Sequence, residues 1–315
     1  MAGAKRLSEF RSSSDPVLAF AAINASGEKA TAAQRSEALA DPRVAALMER
    51  ACLWPWECIA SHKSAQQPFH ALSLLAELGF SLSDGALRGL ADKLIDSMGA
   101  DGLPRIPTRT SEAHGGSGKE IGAWALCDAP TLMYSLSRLG VPAKSLAKGT
   151  KAIAGLAFAS GWPCAVSPEL GSWRGPGKKA DPCPYATLIS LKLLLEDAEK
   201  WRTEIEAGKE CLLGLWERSR TDHPYIFSMG TDFRKPKLPW IWYDIVHVAE
   251  VLSRCPGIGK DKRFKAMLGV LESAAGPRGY VPSTVYLAFK DWDFGQKKAP
   301  SEWLGFARAR IEARL

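Results

Sequence analysis

Long apolar runs are missing from this chain: no stretch approaches the roughly 18 residues that a membrane-spanning helix needs. The segment Met1 to Asp15 is polar and charged and lacks the apolar centre of a signal peptide. These two absences predict a cytoplasmic protein with no membrane span. Alternation of β-branched and polar residues is nearly absent, so a sheet is not expected. There is no Gly-x-Ser-x-Gly nucleophile elbow. Gly115-Gly116-Ser117-Gly118 lacks the spacing to Lys119 that a phosphate loop requires. The seven cysteines are scattered and odd in number, a pattern of reduced thiols rather than of a disulfide framework. No basic recognition motif accompanies the formal charge of +7, so specific nucleic-acid binding is not expected. That charge would suit an anionic small molecule.

What the chain does contain is repetition. Four short loops look alike: Asp101-Gly-Leu-Pro-Arg105, Gly161-Trp-Pro-Cys164, His223-Pro-Tyr-Ile226 and Arg278-Gly-Tyr-Val-Pro282. They recur at roughly 55 to 63 residues, the period of a helix pair with its connections. Before each loop lies an amphipathic segment, clearest over 86–98, 145–158, 203–218 and 263–274. A second, more apolar series spans 68–78, 130–139, 184–195, 244–254 and 302–315. Leu78-Gly79 and Leu139-Gly140 carry a helix C-terminal glycine. Asp128-Ala-Pro130, Asp181-Pro182, Asp244 and Pro300-Ser301 offer a capping side chain, a first-turn proline, or both.

Amphipathic helices outside and apolar helices inside predict an all-α fold, an α/α toroid of about five helix pairs; a flat solenoid is the alternative. The toroid is expected over residues 41–315, behind an N-terminal arm of short helices over 1–40. Trp162, Trp240, Trp242 and Tyr243 sit where loops would converge on a central pocket. The loop Glu112-Ala-His-Gly-Gly-Ser-Gly118 could cover its mouth. Arg174, Lys178, Arg234 and Lys237 occupy successive connections and are expected around one mouth. Glu169, Asp181 and Asp293 are the loop carboxylates to consider for sugar chemistry, and nothing in the sequence pairs them.

The order of helix pairs resembles the terpenoid cyclase and protein prenyltransferase superfamily of α/α toroids. Segments 174–186, 242–247 and 291–303 resemble, more closely, a group of prokaryotic squalene-cyclase-like proteins. The likeness covers roughly residues 15–315. The Asp-x-Asp-Asp cluster of the protonating cyclases is absent; Asp291-Trp-Asp293 is only Asp-x-Asp. The zinc pattern of the prenyltransferases has counterparts in Asp181-Pro-Cys183 and Asp244-Ile-Val-His247. The resemblance implies Asp181, Cys183 and His247 as zinc ligands, with Arg174 and Lys178 or Lys179 facing an isoprenoid diphosphate. Zinc accepts carboxylate, thiolate and imidazole together, and three protein ligands leave a position open for substrate. The same residues also suit plainer roles: Asp181 and Asp244 as caps, Cys183 as a small buried residue, His247 as a hydrogen-bonded core histidine.

The functional expectation is a protein that binds, and as a zinc-dependent transferase would transform, an isoprenoid diphosphate or similar amphiphilic anion in an apolar toroid cavity. A non-catalytic helical scaffold for a protein partner and a carbohydrate-active toroid enzyme are the alternatives.

Overall fold

The computed structural model describes residues 2–59, 61–171, 181–221 and 230–315, and it is mostly helical. Four helices open the chain: α1 (Ala2–Glu9), α2 (Pro16–Ala25), α3 (Ala32–Ala40) and α4 (Pro42–Cys52). α5 (Pro68–Leu78) and α6 (Leu87–Asp96) follow, then a hairpin of β1 (Ile106–Arg109) and β2 (Glu120–Ala123). The remainder is helical: α7 (Ala129–Leu139), α8 (Ala143–Ala154), α9 (Pro184–Leu194), α10 (Arg202–Glu217), α11 (Ile245–Leu252), α12 (Lys262–Ser273) and α13 (Glu302–Ala313).

Two populations of helix separate by burial, as the periodicity requires. Every residue of α9 and of α11 is buried, and so is every residue of α5 after its first proline. By contrast α6 buries only Leu87, Leu90, Ala91 and Leu94, one stripe at helical spacing. α12 likewise buries only Phe264, Met267 and Leu271. The apolar helices pack in sequence, α5 on α7, α7 on α9, α9 on α11 and α11 on α13. α2 touches both ends of this series, packing on α5 and on α13. The N-terminal helices therefore belong to the same core, with Leu7, Val17, Leu18 and Phe20 buried in it.

Local signals explain the boundaries. Gly79 and Gly140 end α5 and α7 in the left-handed region, at φ 98° and 100°, which a side chain would strain. Asp15 caps α2 through the amides of Val17 and Leu18, ahead of Pro16. Asp244 caps α11 through Val246 and His247, and Ser301 caps α13 through Leu304.

Two capping expectations fail. Asp128 precedes α7 but caps nothing; its oxygens take the Ala125 amide and a histidine ring. Asp181 stands too far upstream, because α9 starts at Pro184 and its N-cap is Cys183. The hairpin is a further departure. β1 and β2 pair antiparallel from Ile106 with Ala123 to Arg109 with Glu120. Four residues of alternating burial suffice for a two-stranded ladder, too short to register in a whole-chain pattern.

Candidate functional site

A cavity of about 700 Å³ opens between the segment that follows α4 and the hairpin. Ile59 forms a parallel bridge to Thr108, its amide donating to the Pro107 carbonyl at 2.9 Å. This ties the segment after α4 to β1 and aligns Cys58, Ile59 and His62 along one wall. Thr108 to Glu112 form the opposite wall, with Gly118 and Leu170. Glu112 and Gly118 bring the loop at 112–118 to this cavity.

His62 is held from two directions. Its ring Nε2 lies 2.6 Å from Asp128 Oδ2, and Asp128 is completely buried at the start of α7. Both Asp128 oxygens also take the Ala125 amide at 3.2 Å. A carboxylate only accepts, so Nε2 carries the hydrogen and Nδ1 is left as the basic nitrogen. His62's backbone carbonyl is fixed in turn by His70 Nε2 at 2.8 Å. His70 lies inside α5, where burial pushes its imidazole down to about 3, so it stays a neutral donor. A buried carboxylate, an oriented imidazole and a cavity are the components of general acid–base chemistry. Burial pushes the Cys58 thiol up, and the nearby Glu120 adds to this, so it is not an activated nucleophile at rest.

The second concentration of titratable groups lies among the apolar helices. Glu77 of α5 accepts from Lys192 of α9 and from Arg310 of α13, each at 2.7 Å. Arg310 also reaches Glu250 of α11 at 3.0 Å, and the Tyr134 hydroxyl of α7 donates to Glu77 at 2.7 Å. All five residues are buried. The expected apolar interior is thus crossed by an ion-pair network. Glu77, Lys192 and Glu250 are each the single Asp, Glu, Lys or Arg of their helix, and only packing reveals that they meet one another's partners.

The residues singled out in the sequence fall in several places. Trp162 is fully buried, its indole donating to the Ile153 carbonyl at 2.7 Å. Trp240 is buried under the Arg310 guanidinium, 4.8 Å from its ring. Trp242 stacks on Tyr185 at 4.1 Å, and Tyr243 packs against Phe233 at 5.2 Å. None of these four lines the 700 Å³ cavity. Arg174, Lys178, Lys179 and the loop at 223–226 lie outside the described residues. Arg234 stands 4.9 Å from the Trp216 ring, and Lys237 5.4 Å from the Tyr286 ring.

Asp181 is half-buried, while Cys183 and His247 are buried. His247 donates through Nδ1 to the Trp242 carbonyl at 2.9 Å, which leaves Nε2 unprotonated and without a partner. That nitrogen has the character of a metal ligand. Its charged neighbours are Lys192, Glu250 and Glu77, whereas Cys183 sits near Cys164 and Cys211. Burial pushes the Cys183 thiol up to about 12. Among the described residues no three or more His, Cys, Asp or Glu side chains are gathered around one metal position.

The loop carboxylates are occupied structurally. Glu169 pairs with Arg105 at 3.2 Å, and Asp293 accepts from Ser301 and the Trp303 amide. No protein-family model and no curated protein matches the chain. His62 and Asp128 were missed because they lie 66 residues apart, and Asp128 reads as an ordinary cap. No helix among the described residues is long and apolar enough to cross a membrane.

Proposed function

We propose that the chain is an acid–base enzyme of the α/α-toroid class, acting on an amphiphilic anion in the cavity beside His62. The contact of α2 with both α5 and α13 supports the reading of six apolar helices as a closed ring. The observation that carries the activity is the 2.6 Å pairing of His62 with the buried Asp128 on the wall of the cavity. Asp128 fixes the imidazole tautomer, and Nδ1 takes or returns a proton. Asp128 is a positioning residue, since it acts through the ring.

The cavity has the capacity of a site for a ligand of drug-like size. Ile59 and Leu170 supply apolar surface, and Arg109 supplies a cation. An isoprenoid diphosphate is the substrate class that the family resemblance suggests. Catalysis in this reading needs no zinc, because the proton is moved by His62.

Farnesyl diphosphate, farnesyl monophosphate and palmitate serve as probes, in calorimetry and in a mass-spectrometric product assay. Saturable binding to the native chain is expected for at least one. Turnover should fall by about 10² to 10⁴ in Asp128→Asn, with a much smaller change in binding. Full turnover in His62→Asn would overturn the acid–base assignment. Binding of none of the three would overturn the substrate class.

A further inference from the structure

On the far side of α4 from its N-cap, Arg50 occupies the last turn of the helix and the wall of a separate cavity of about 480 Å³. The other walls come from Pro42, Arg43, Ala46 and Leu47 on α4, and from Ala288, Asp291 and Trp292. Arg50 Nη1 is buried without a hydrogen-bond partner. Its one close contact of note is with the Phe289 ring, 5.8 Å from the guanidinium carbon. Burial alone lowers its pKa, with no carboxylate acting to raise it.

The neighbouring arginine shows what an occupied guanidinium looks like in this fold. Arg43 donates to Asp15 through Nη2 and Nη1 at 2.7 and 2.9 Å, and to Asp41 through Nη2 and Nε at 2.8 and 2.9 Å. Its guanidinium carbon lies 4.9 Å from the Trp292 ring. Its charge is answered twice over within the chain. Arg50 has the same planar fork, the same aromatic support and no anion. A half-buried guanidinium with an unanswered N–H is costly unless something outside the chain answers it.

We infer that this cavity binds a small organic monoanion, a carboxylate on an apolar or aromatic body, through the Arg50 guanidinium. The planar fork matches a carboxylate's two oxygens. Trp292, Leu47 and Ala288 supply the apolar surface for the body of the ligand. The charge balance disfavours a dianion: of the two arginines in the wall Arg43 is already paired with Asp15 and Asp41, Arg50 supplies the remaining positive charge, and Asp291 adds a negative one. Nothing in this inference depends on the His62 cavity.

The test titrates the native chain with benzoate, acetate and inorganic phosphate. It follows the Arg50 side-chain Nε–H and Trp292 indole N–H resonances by NMR. Benzoate should move both saturably and together, and acetate should bind at least about tenfold more weakly for want of an apolar body. Phosphate should bind no more tightly than acetate. Arg50→Gln should weaken benzoate by about tenfold or more with an unchanged urea midpoint. Arg50→Lys, which keeps the charge and loses the fork, should fall between, and it stands in if the glutamine variant is unfolded. The inference is overturned if benzoate moves neither resonance, if phosphate binds most tightly, or if the variants keep native affinity.

Discussion

Arg310 Nη2 on α13 donates to Glu77 Oε2 on α5 at 2.7 Å, joining residues 233 positions apart in the chain. Burial opposes the Glu77 charge, but Lys192 and Arg310 hold its carboxyl well below the usual range. Glu77→Gln would leave Lys192 buried without its carboxylate and Arg310 with Glu250 alone. A loss of about 3–5 kcal/mol in unfolding free energy is expected, measured by urea denaturation at neutral pH. A well-packed triple substitution of Glu77, Lys192 and Arg310 by methionine should cost less than the single change, because it removes the three charges together and leaves Glu250 paired with Arg314 at 2.8 Å. A single-variant loss below about 1 kcal/mol would mean that the network is solvated rather than dry.

Asp244 gives a pH dependence of unusual sign. Its carboxyl is completely buried; burial raises it to about 7 from an ordinary 3.8, against the pull of Lys237. Between those values the folded chain holds a proton that the unfolded chain has released. Stability therefore falls as pH rises from about 4 to 7, by at most about 1.4 kcal/mol per pH unit, and levels off above. Asp244→Asn keeps an acceptor for the Val246 and His247 amides and cannot ionise. It should equal the native chain near pH 4 and exceed it at pH 8. Equal stability at both would show that the group ionises normally.

His247 acts on the acid side. Burial pushes its imidazole down to about 3 from 6.5; Lys192 adds to this, while Glu250 and Glu77 oppose it. The unfolded chain takes up a proton below 6.5 that the folded chain refuses, so stability is lost as pH falls from 6.5 toward 3. His247→Asn can keep the donor to the Trp242 carbonyl and cannot titrate. The decline below pH 6.5 should become shallower by up to about 1.4 kcal/mol per pH unit. It should not vanish, because His70 is buried with the same downward shift. A slope identical to the native one in denaturation midpoints across this range would sink the assignment.

Much of the helical framework was legible in the residues themselves. Apolar spacing separated the one-face helices such as α6 from the all-face helices such as α9, and Gly79 and Gly140 marked two ends. Such signals are local, since period and capping act within a few residues of chain. What the sequence determined by itself was therefore the kind and approximate limits of the paired helices from α5 onward, and which of these would be buried; the burial of α2 in the same core was not among its signals.

Tertiary structure decided everything that depends on partners far apart in the chain. Asp128 looks like a cap ahead of a first-turn proline, yet its oxygens go to His62 and to the Ala125 amide. Glu77, Lys192, Glu250 and Arg310 look like isolated exceptions in apolar helices until packing joins them. Asp181, Cys183 and His247 matched a ligand pattern in order and spacing, but spacing along a chain does not fix the direction of a side chain. His247 turns Nδ1 to the Trp242 carbonyl, and Cys183 lies near Cys164 and Cys211. Arg43 and Arg50 are indistinguishable in the sequence of α4, and only the fold gives one of them two carboxylates and the other none. The physical reason is common to all of these: a buried polar atom is satisfied by whatever three-dimensional packing brings within about 3 Å, and that distance carries no trace in chain separation.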